Sequence, residues 1–274
     1  MNKIKSKKIL GIMLMICMVF AFIGCAKETS SVDNAPLTKL DEIKKAGKLV
    51  LGTSADYPPY EFHKEIDGED TIVGFEIEMA KAIAEELGVE LEIKDIKFDG
   101  LLAALAADKI DLIIAGMTPT EERKQSVDFT DQYFVDEHKV LIKSEDAEKI
   151  KTADDLKNLK IGAQKASIQE GVAKDIEGAE LKLISKITDL ILEVSNDKID
   201  ALVLGKVTAQ AYAERNEGLF VPEFSLGGGN GSAIAVKKGN EEFVQELNNI
   251  IDKLKKEGKV EQFIEEATQL ANEE

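Results

Sequence analysis

Asp108-Lys109-Ile110-Asp111-Leu112-Ile113-Ile114-Ala115-Gly116 returns 89 residues later as Asp197-Lys198-Ile199-Asp200-Ala201-Leu202-Val203-Leu204-Gly205. Each copy turns on two aspartates and then runs through apolar residues to a glycine. A short continuous apolar run bounded by turn residues is the pattern of a strand buried on both faces, as in a parallel sheet covered by helices. Each copy also follows a stretch with helical spacing. Two such units predict two α/β lobes of similar construction. The same helix-turn-strand idiom recurring by chance would read alike.

The flanking sequence extends the pattern. Thr38, with Asp41 three residues on, starts a short helix that Gly47 stops. Lys48–Thr53 (KLVLGT) is a buried strand by its apolar run. Phe75, Met79, Ala80, Ile83, Ala84 and Leu87 recur at helical spacing opposite Glu76, Lys81, Glu85 and Glu86. Val89–Ile96 alternates like a strand, and Leu101–Ala107 is helical. The run Gly227-Gly228-Gly229-Asn230-Gly231 reads as flexible and precedes an apolar strand, Ser232–Val236. Two helices, about Glu241–Glu257 and Lys259–Ala271, end the chain. A bend at the glycine run and a break near Tyr133–Lys139 give two crossings between lobes. Lobe one is then residues 37–137 with 230–274, and lobe two is 138–229. Such a pair can hinge shut on a ligand.

The 274 residues carry 35 Lys and Arg against 52 Asp and Glu, a formal charge of −17. So acidic a chain does not hold a polyanion through bulk charge, which argues against nucleic acid as a partner. The two cysteines, Cys17 and Cys25, both lie in the first 25 residues, and the two histidines are His63 and His138. No disulfide framework or cysteine-based zinc site is available to the remainder, and neither metal nor cofactor is expected.

Lys3, Lys5, Lys7 and Lys8 precede an apolar run from Ile9 to Ile23 that ends at Gly24-Cys25. This is a secretory leader over residues 1–24 rather than a spanning helix, which needs about 20 apolar residues. The small residue before a lone Cys resembles a bacterial lipobox, which makes Cys25 the lipidated first residue of the mature chain. Phe22 and Ile23 depart from the commoner lipobox residues. Residues 25–36 are polar and read as a tether. The mature chain has 31 basic and 52 acidic residues, net −21.

Ligands of open parallel sheets sit beyond the carboxyl ends of strands. After KLVLGT comes Ser54-Ala55-Asp56-Tyr57-Pro58-Pro59-Tyr60, a proline-stiffened loop with two aromatics. After the first repeat, Thr118 as N-cap, Pro119 and Glu121 predict a helix start whose free N–H groups attract an anion. Arg123 stands one turn in, where its guanidinium can grip a carboxylate through two hydrogen bonds. It is one of only two arginines among the 31 basic residues, the other being Arg215. Spacing alone is equally consistent with a surface arginine pairing with a glutamate. In lobe two, Ser167 reads as an N-cap after the strand Lys160–Ala163. Two helix starts facing each other across a hinge, with an arginine, describe a clamp for a small carboxylate.

Four stretches together are similar to the family 3 extracellular solute-binding proteins, the amino-acid receptors of bacterial ABC importers. They are Gly52–Phe62 (GTSADYPPYEF), Val73–Gly88 (VGFEIEMAKAIAEELG), Phe98–Arg123 (FDGLLAALAADKIDLIIAGMTPTEER) and Val127–Phe134 (VDFTDQYF). The resemblance runs from Lys48 to about Ala271. It implies an α/β, two-lobed, periplasmic-binding-protein-like fold of type II that serves binding rather than catalysis. Tyr57 and Phe98 would sandwich the ligand side chain. The main chain of Ala115 and Gly116 and the Thr118 side chain would meet its α-ammonium and carboxylate. Arg123 would pair with the carboxylate, helped by Ser167 and Ile168, while Gln164 and Gln169 would line the side-chain end.

Two departures shape the expected ligand. Ser54 stands where receptors for basic amino acids carry Asp, which implies a small polar, non-basic amino acid such as glutamine. Gly205 stands where relatives place the acid that pairs with the α-ammonium, with Asp56 as a candidate substitute. The implied partners are that amino acid and an ABC permease, with the protein itself a monomer held to the outer face of the cytoplasmic membrane. The alternatives are an enzyme on the same fold, a dehydratase or murein lyase, and a receptor for a carboxylate that is not an amino acid.

Overall fold

The structure, a computed structural model, describes residues 37–273. The leader, Cys25 and the tether therefore lie outside the described residues. Helix α1 (Lys39–Ala46) starts at the Thr38 capping box with Asp41 and stops at Gly47 in the left-handed region. β1 (Lys48–Thr53) then enters the middle of the first sheet. It lies parallel to β5 (Glu90–Asp95) on one side and to β6 (Leu112–Ile113) on the other. β14 (Ala235–Lys237) and β7 (Val127–Phe129) complete the order β5-β1-β6-β14-β7. A three-stranded antiparallel flap of β2 (Asp56–Tyr57), β3 (Glu61–Ile66) and β4 (Glu69–Val73) leads into α2 (Phe75–Leu87).

The second sheet has the order β10-β9-β11-β8-β12, from β8 (Phe134–Lys143), β9 (Lys160–Gln164), β10 (Glu180–Ile184), β11 (Ala201–Gly205) and β12 (Leu219–Phe220). Each sheet is apolar on both faces, so helices cover both. In the first, Leu49 and Leu51 pack towards α2, α8 (Glu241–Lys256) and α9 (Lys259–Asn272), while Val50 packs towards α3 (Leu101–Ala106). In the second, Leu202 and Leu204 face α6 (Ile187–Ser195) and α7 (Lys206–Arg215), and Val203 faces α5 (Ile168–Lys174). The fold is therefore two α/β lobes, as the repeat predicts. Among the described residues no helix is long and apolar enough to cross a membrane.

The two copies of the phrase do the same work in each lobe. Asp108 and Asp197 both turn the chain through the left-handed region, at φ 55° and 56°. Asp111 accepts a hydrogen bond from the Val50 amide (2.8 Å), and Asp200 accepts one from the Lys160 amide (2.7 Å). Each carboxylate thus satisfies a neighbouring-strand amide one residue ahead of the point where the parallel ladder begins. Ile110 packs where a Cβ on Gly52 would sit, and Ile199 does the same at Gly162. The repeated aspartates encode a strand start, not a ligand contact.

The glycine run departs from its reading as a flexible link. It forms β13 (Gly228–Ser232), antiparallel to β8 with a register irregularity between Gly228 and Asn230. A Cβ on Gly228 would lie 2.5 Å from the Glu137 Cα, and one on Gly231 would lie 2.3 Å from Gln132 Oε1. Glycine at 228 is therefore needed for the close approach of the two strands, while Gly231 is crowded by the Gln132 side chain. The expected boundaries, 137/138 and 229/230, fall inside this strand pair.

Candidate functional site

Between the two sheets lies a narrow cleft with about 20 Å³ of free space, so anything larger than a water molecule enters only when its walls move apart. The loop after β1 supplies Ser54 and Tyr57, and the turn before α3 supplies Phe98. The loop after β6 supplies Ala115, Gly116 and Thr118, and helix α4 (Glu121–Lys124) supplies Arg123. Gln164, Ser167, Ile168 and Gln169 close the cleft from the second sheet. The structure thus brings these expected contacts together at one cavity.

Arg123 dominates one wall. The helix expected to start at Thr118 starts two residues later, with Thr120 as its N-cap accepting from the Arg123 amide (3.2 Å). Thr118 lies outside the helix, and its carbonyl accepts from Arg123 Nη1 (2.8 Å). Nη2 donates across the cleft to the Ala166 carbonyl (2.8 Å), and the Phe98 ring lies beneath the guanidinium, 5.5 Å from Cζ to ring centroid. Only 8 % of the residue is exposed. Burial lowers its pKa to about 10, which leaves it charged at neutral pH. A guanidinium has five N–H donors, so Arg123 retains donors for an anion after these two bonds. Ser167 is spent differently. Its hydroxyl donates to the Gln164 carbonyl (2.7 Å) and accepts from the Glu170 amide, so it caps its own helix.

The opposite charge comes from residues that the motif reading passes over. Glu61, on β3, lines the cleft almost fully buried, and its Oε2 has no hydrogen-bond partner in the protein. Beside it lies Glu76, which helical periodicity places on the polar face of α2 but which is 0 % exposed. Glu76 accepts from the Gly116 amide with both oxygens (3.0 Å each) and from the Tyr133 hydroxyl (2.5 Å). Burial outweighs these donors and a hydrogen bond with Glu61, leaving the Glu76 pKa at about 7, and the Gly116 N–H expected to meet a ligand is committed to Glu76. Burial pushes both carboxyls upward, and for Glu61 the adjacent Glu76 adds to the effect. The neutral form of Glu61 is therefore favoured by burial. The sequence signal for Glu61 is weak, one glutamate inside an aromatic motif. That for Glu76 is a glutamate flanked by Phe75 and Ile77.

Two expected candidates stand off the cavity. Asp56 turns away and accepts from the Ile187 amide (2.8 Å) at the start of α6. Gly205 lies behind Tyr57, with its amide donating to Tyr57 Oη (2.8 Å). A Cβ there would come within 2.7 Å of Asp136 Oδ2 and 2.8 Å of Tyr57 Oη. The site has no room for an acid at position 205. Gly205→Glu should therefore weaken ligand binding and cost roughly 1–3 kcal/mol of stability through overpacking, plus repulsion from Asp136. Thermal unfolding with and without ligand checks this, and a stable, tighter-binding variant would contradict it.

The bacterial extracellular solute-binding proteins, family 3, match residues 49–268. The arginine-binding extracellular protein ArtP of Bacillus subtilis is 34% identical over 262 residues, covering 94% of this chain and 96% of its own. The amino acid ABC transporter substrate-binding protein AbpA of Streptococcus pneumoniae, solved bound to L-arginine, is 36% identical with a TM-score of 0.82. That match covers 85% of this chain and 99% of AbpA. An ancestral amino acid-binding protein, AncCDT-1, described as a precursor of cyclohexadienyl dehydratase, is 34% identical with a TM-score of 0.78. It covers 84% of this chain and 100% of its own. With the match over most of its length and a cleft between two α/β lobes, the chain belongs to the bacterial extracellular solute-binding proteins of family 3.

Proposed function

We propose that the protein is the extracytoplasmic substrate-binding component of an amino-acid ABC importer, and that its ligand is a cationic amino acid of the arginine type. One observation carries the choice of ligand. The cleft holds a buried guanidinium, Arg123, bonded to two carbonyls, and a separate buried carboxyl, Glu61, whose Oε2 has no hydrogen-bond partner among the described residues. A molecule with a carboxylate and a distant cation answers both. Arg123 takes the α-carboxylate in a bidentate pair. Phe98 and Tyr57 flank the aliphatic stem, and Glu61 in its anionic form takes the guanidinium. The arginine-binding relatives support this reading. The non-basic ligand inferred from Ser54 is not supported, because it overlooks the acid that Glu61 brings to the same cavity.

Thermal-shift screening of the mature protein tests the reading. A ligand present at 100 times its Kd should add about 2.7 kcal/mol of stability. L-Arginine should raise the melting temperature more than its neutral isostere L-citrulline. Equal shifts, or none, would count against a cationic ligand.

One feature favours a second reading. A cavity carboxyl whose pKa burial raises, as at Glu61, has the property of a general acid, which would suit a dehydratase. Mass spectrometry of candidate ligands after long incubation separates the two: binding returns them unchanged, and any conversion would favour chemistry.

Attachment through Cys25 belongs to the same proposal. Cys25→Ser should release the protein from the membrane and abolish labelling by a palmitate analogue. Equal labelling of both forms would refute the lipid anchor.

A further inference from the structure

We infer that Asp56 is a closure latch, supplying from one lobe the N-terminal cap that helix α6 of the other lobe lacks. The proposal rests on the reading that the cleft opens and closes around a ligand. Helix α6 starts after Lys186, whose side chain makes no capping bond, so its first amides have no partner from their own segment. Asp56, 4 % exposed on β2, provides one: its Oδ2 accepts from the Ile187 amide at 2.8 Å. Its main chain is tied to the same lobe, since the Tyr212 hydroxyl on α7 donates to the Asp56 carbonyl (2.8 Å). With the neighbouring bond from the Gly205 amide to Tyr57 Oη, two consecutive residues of lobe one are bonded to α6, α7 and the end of β11. All three bonds cross between lobes, and none involves a ligand. Separating the lobes at this point breaks them together and leaves the Ile187 amide unpartnered by protein.

Asp56 does not line the ligand cavity. It lies in a second hollow beside it, rimmed by His63, Lys186, Tyr212 and Arg215. The groups that bear on its carboxyl are Lys186, which favours the charge, Asp95, which opposes it, and the Ser54 hydroxyl, 3.4 Å away. Burial outweighs the favourable contacts and raises the pKa to about 6. In an open form, with the carboxyl in water, the ordinary value of about 3.9 applies. The closed form therefore binds more protons between these values, so closure should strengthen as pH falls from 7 to 5. A protonated Asp56 still offers its carbonyl oxygen to the Ile187 amide.

The test uses the mature chain with Cys25→Ser and dyes on Lys44→Cys and Leu192→Cys, exposed sites on the two lobes. Single-molecule energy transfer is recorded without ligand, and L-arginine dissociation is followed separately. Asp56→Ala should reduce the ligand-free closed population and speed dissociation roughly threefold to thirtyfold, the range expected for loss of a cap. Asp56→Asn keeps an acceptor without the charge. It should restore both quantities at pH 7 and lose the wild-type pH dependence between 5 and 7. Equal ligand-free distance distributions for wild type and Asp56→Ala would overturn the latch, even if L-arginine binds as proposed. If L-arginine fails to bind the wild type, the ligand proposal falls, while the ligand-free distances still decide the latch.

Discussion

Arg123→Ala is expected to remove ligand binding while leaving a folded protein. The guanidinium is buried against Phe98, bonded to the Thr118 carbonyl on its own lobe and to the Ala166 carbonyl on the other. It therefore fixes the carboxylate end and also helps hold the lobes together. Truncating one partner of a buried, hydrogen-bonded charge pair costs about 2–5 kcal/mol, or roughly thirtyfold to several-thousandfold in Kd. Stability should move less, since alanine leaves two carbonyls beside a wet cleft rather than an unpaired charge. Arg123→Lys should recover little, because an ammonium cannot form the two parallel bonds. Calorimetry decides: an unchanged Kd for Arg123→Ala would take the residue out of the site.

Glu61→Gln is expected to change which ligand is preferred more than whether one binds. The amide retains the shape of the protonated carboxyl but cannot become the anion that a guanidinium requires. A charge-assisted hydrogen bond contributes about 1.5–3 kcal/mol, so L-arginine should bind roughly tenfold to a hundredfold more weakly, while L-citrulline should change little. The same variant bears on stability. In the folded protein Glu61 and Glu76 have raised pKa values, so the native state holds protons that the unfolded chain loses above about pH 4.5. Stability of the ligand-free protein should therefore fall as pH rises through the range of the folded-state values. Glu61→Gln should flatten that slope, which urea unfolding at several pH values measures. A slope equal to that of wild type would mean that Glu61 is ionised in the empty cleft.

The architecture was legible because it depends on patterns that survive in one dimension. Paired apolar runs ending in glycine gave the strands, and helical spacing gave α2, α8 and α9. The repeated phrase pointed to two lobes because each copy solves the same local problem, the start of a strand beside its neighbour. The cavity wall was legible where a motif supplied it, as at Tyr57, Phe98 and Arg123. Three features were not. Glu76 sits on the polar side of its helix by periodicity, yet the helix start is roofed by β3 and the Gly116 loop, contacts that local sequence does not encode. Glu61 becomes a site residue only through that burial. Asp56 follows a strand end and stands as a candidate partner for the α-ammonium, whereas its carboxylate meets the Ile187 amide, 131 positions away. Gly205 misled for a related reason: the space beside it is filled by Asp136 and Tyr57 from other segments.

The central claim is that one cleft reads both ends of a cationic amino acid, with Arg123 on the carboxylate and Glu61 on the cation. A crystal structure of the mature protein grown with L-arginine tests it most directly. The α-carboxylate should accept two hydrogen bonds from Arg123, with the guanidinium within hydrogen-bond distance of Glu61. A ligand bound the other way round, or one held in the cleft without a contact to Glu61, would contradict the account.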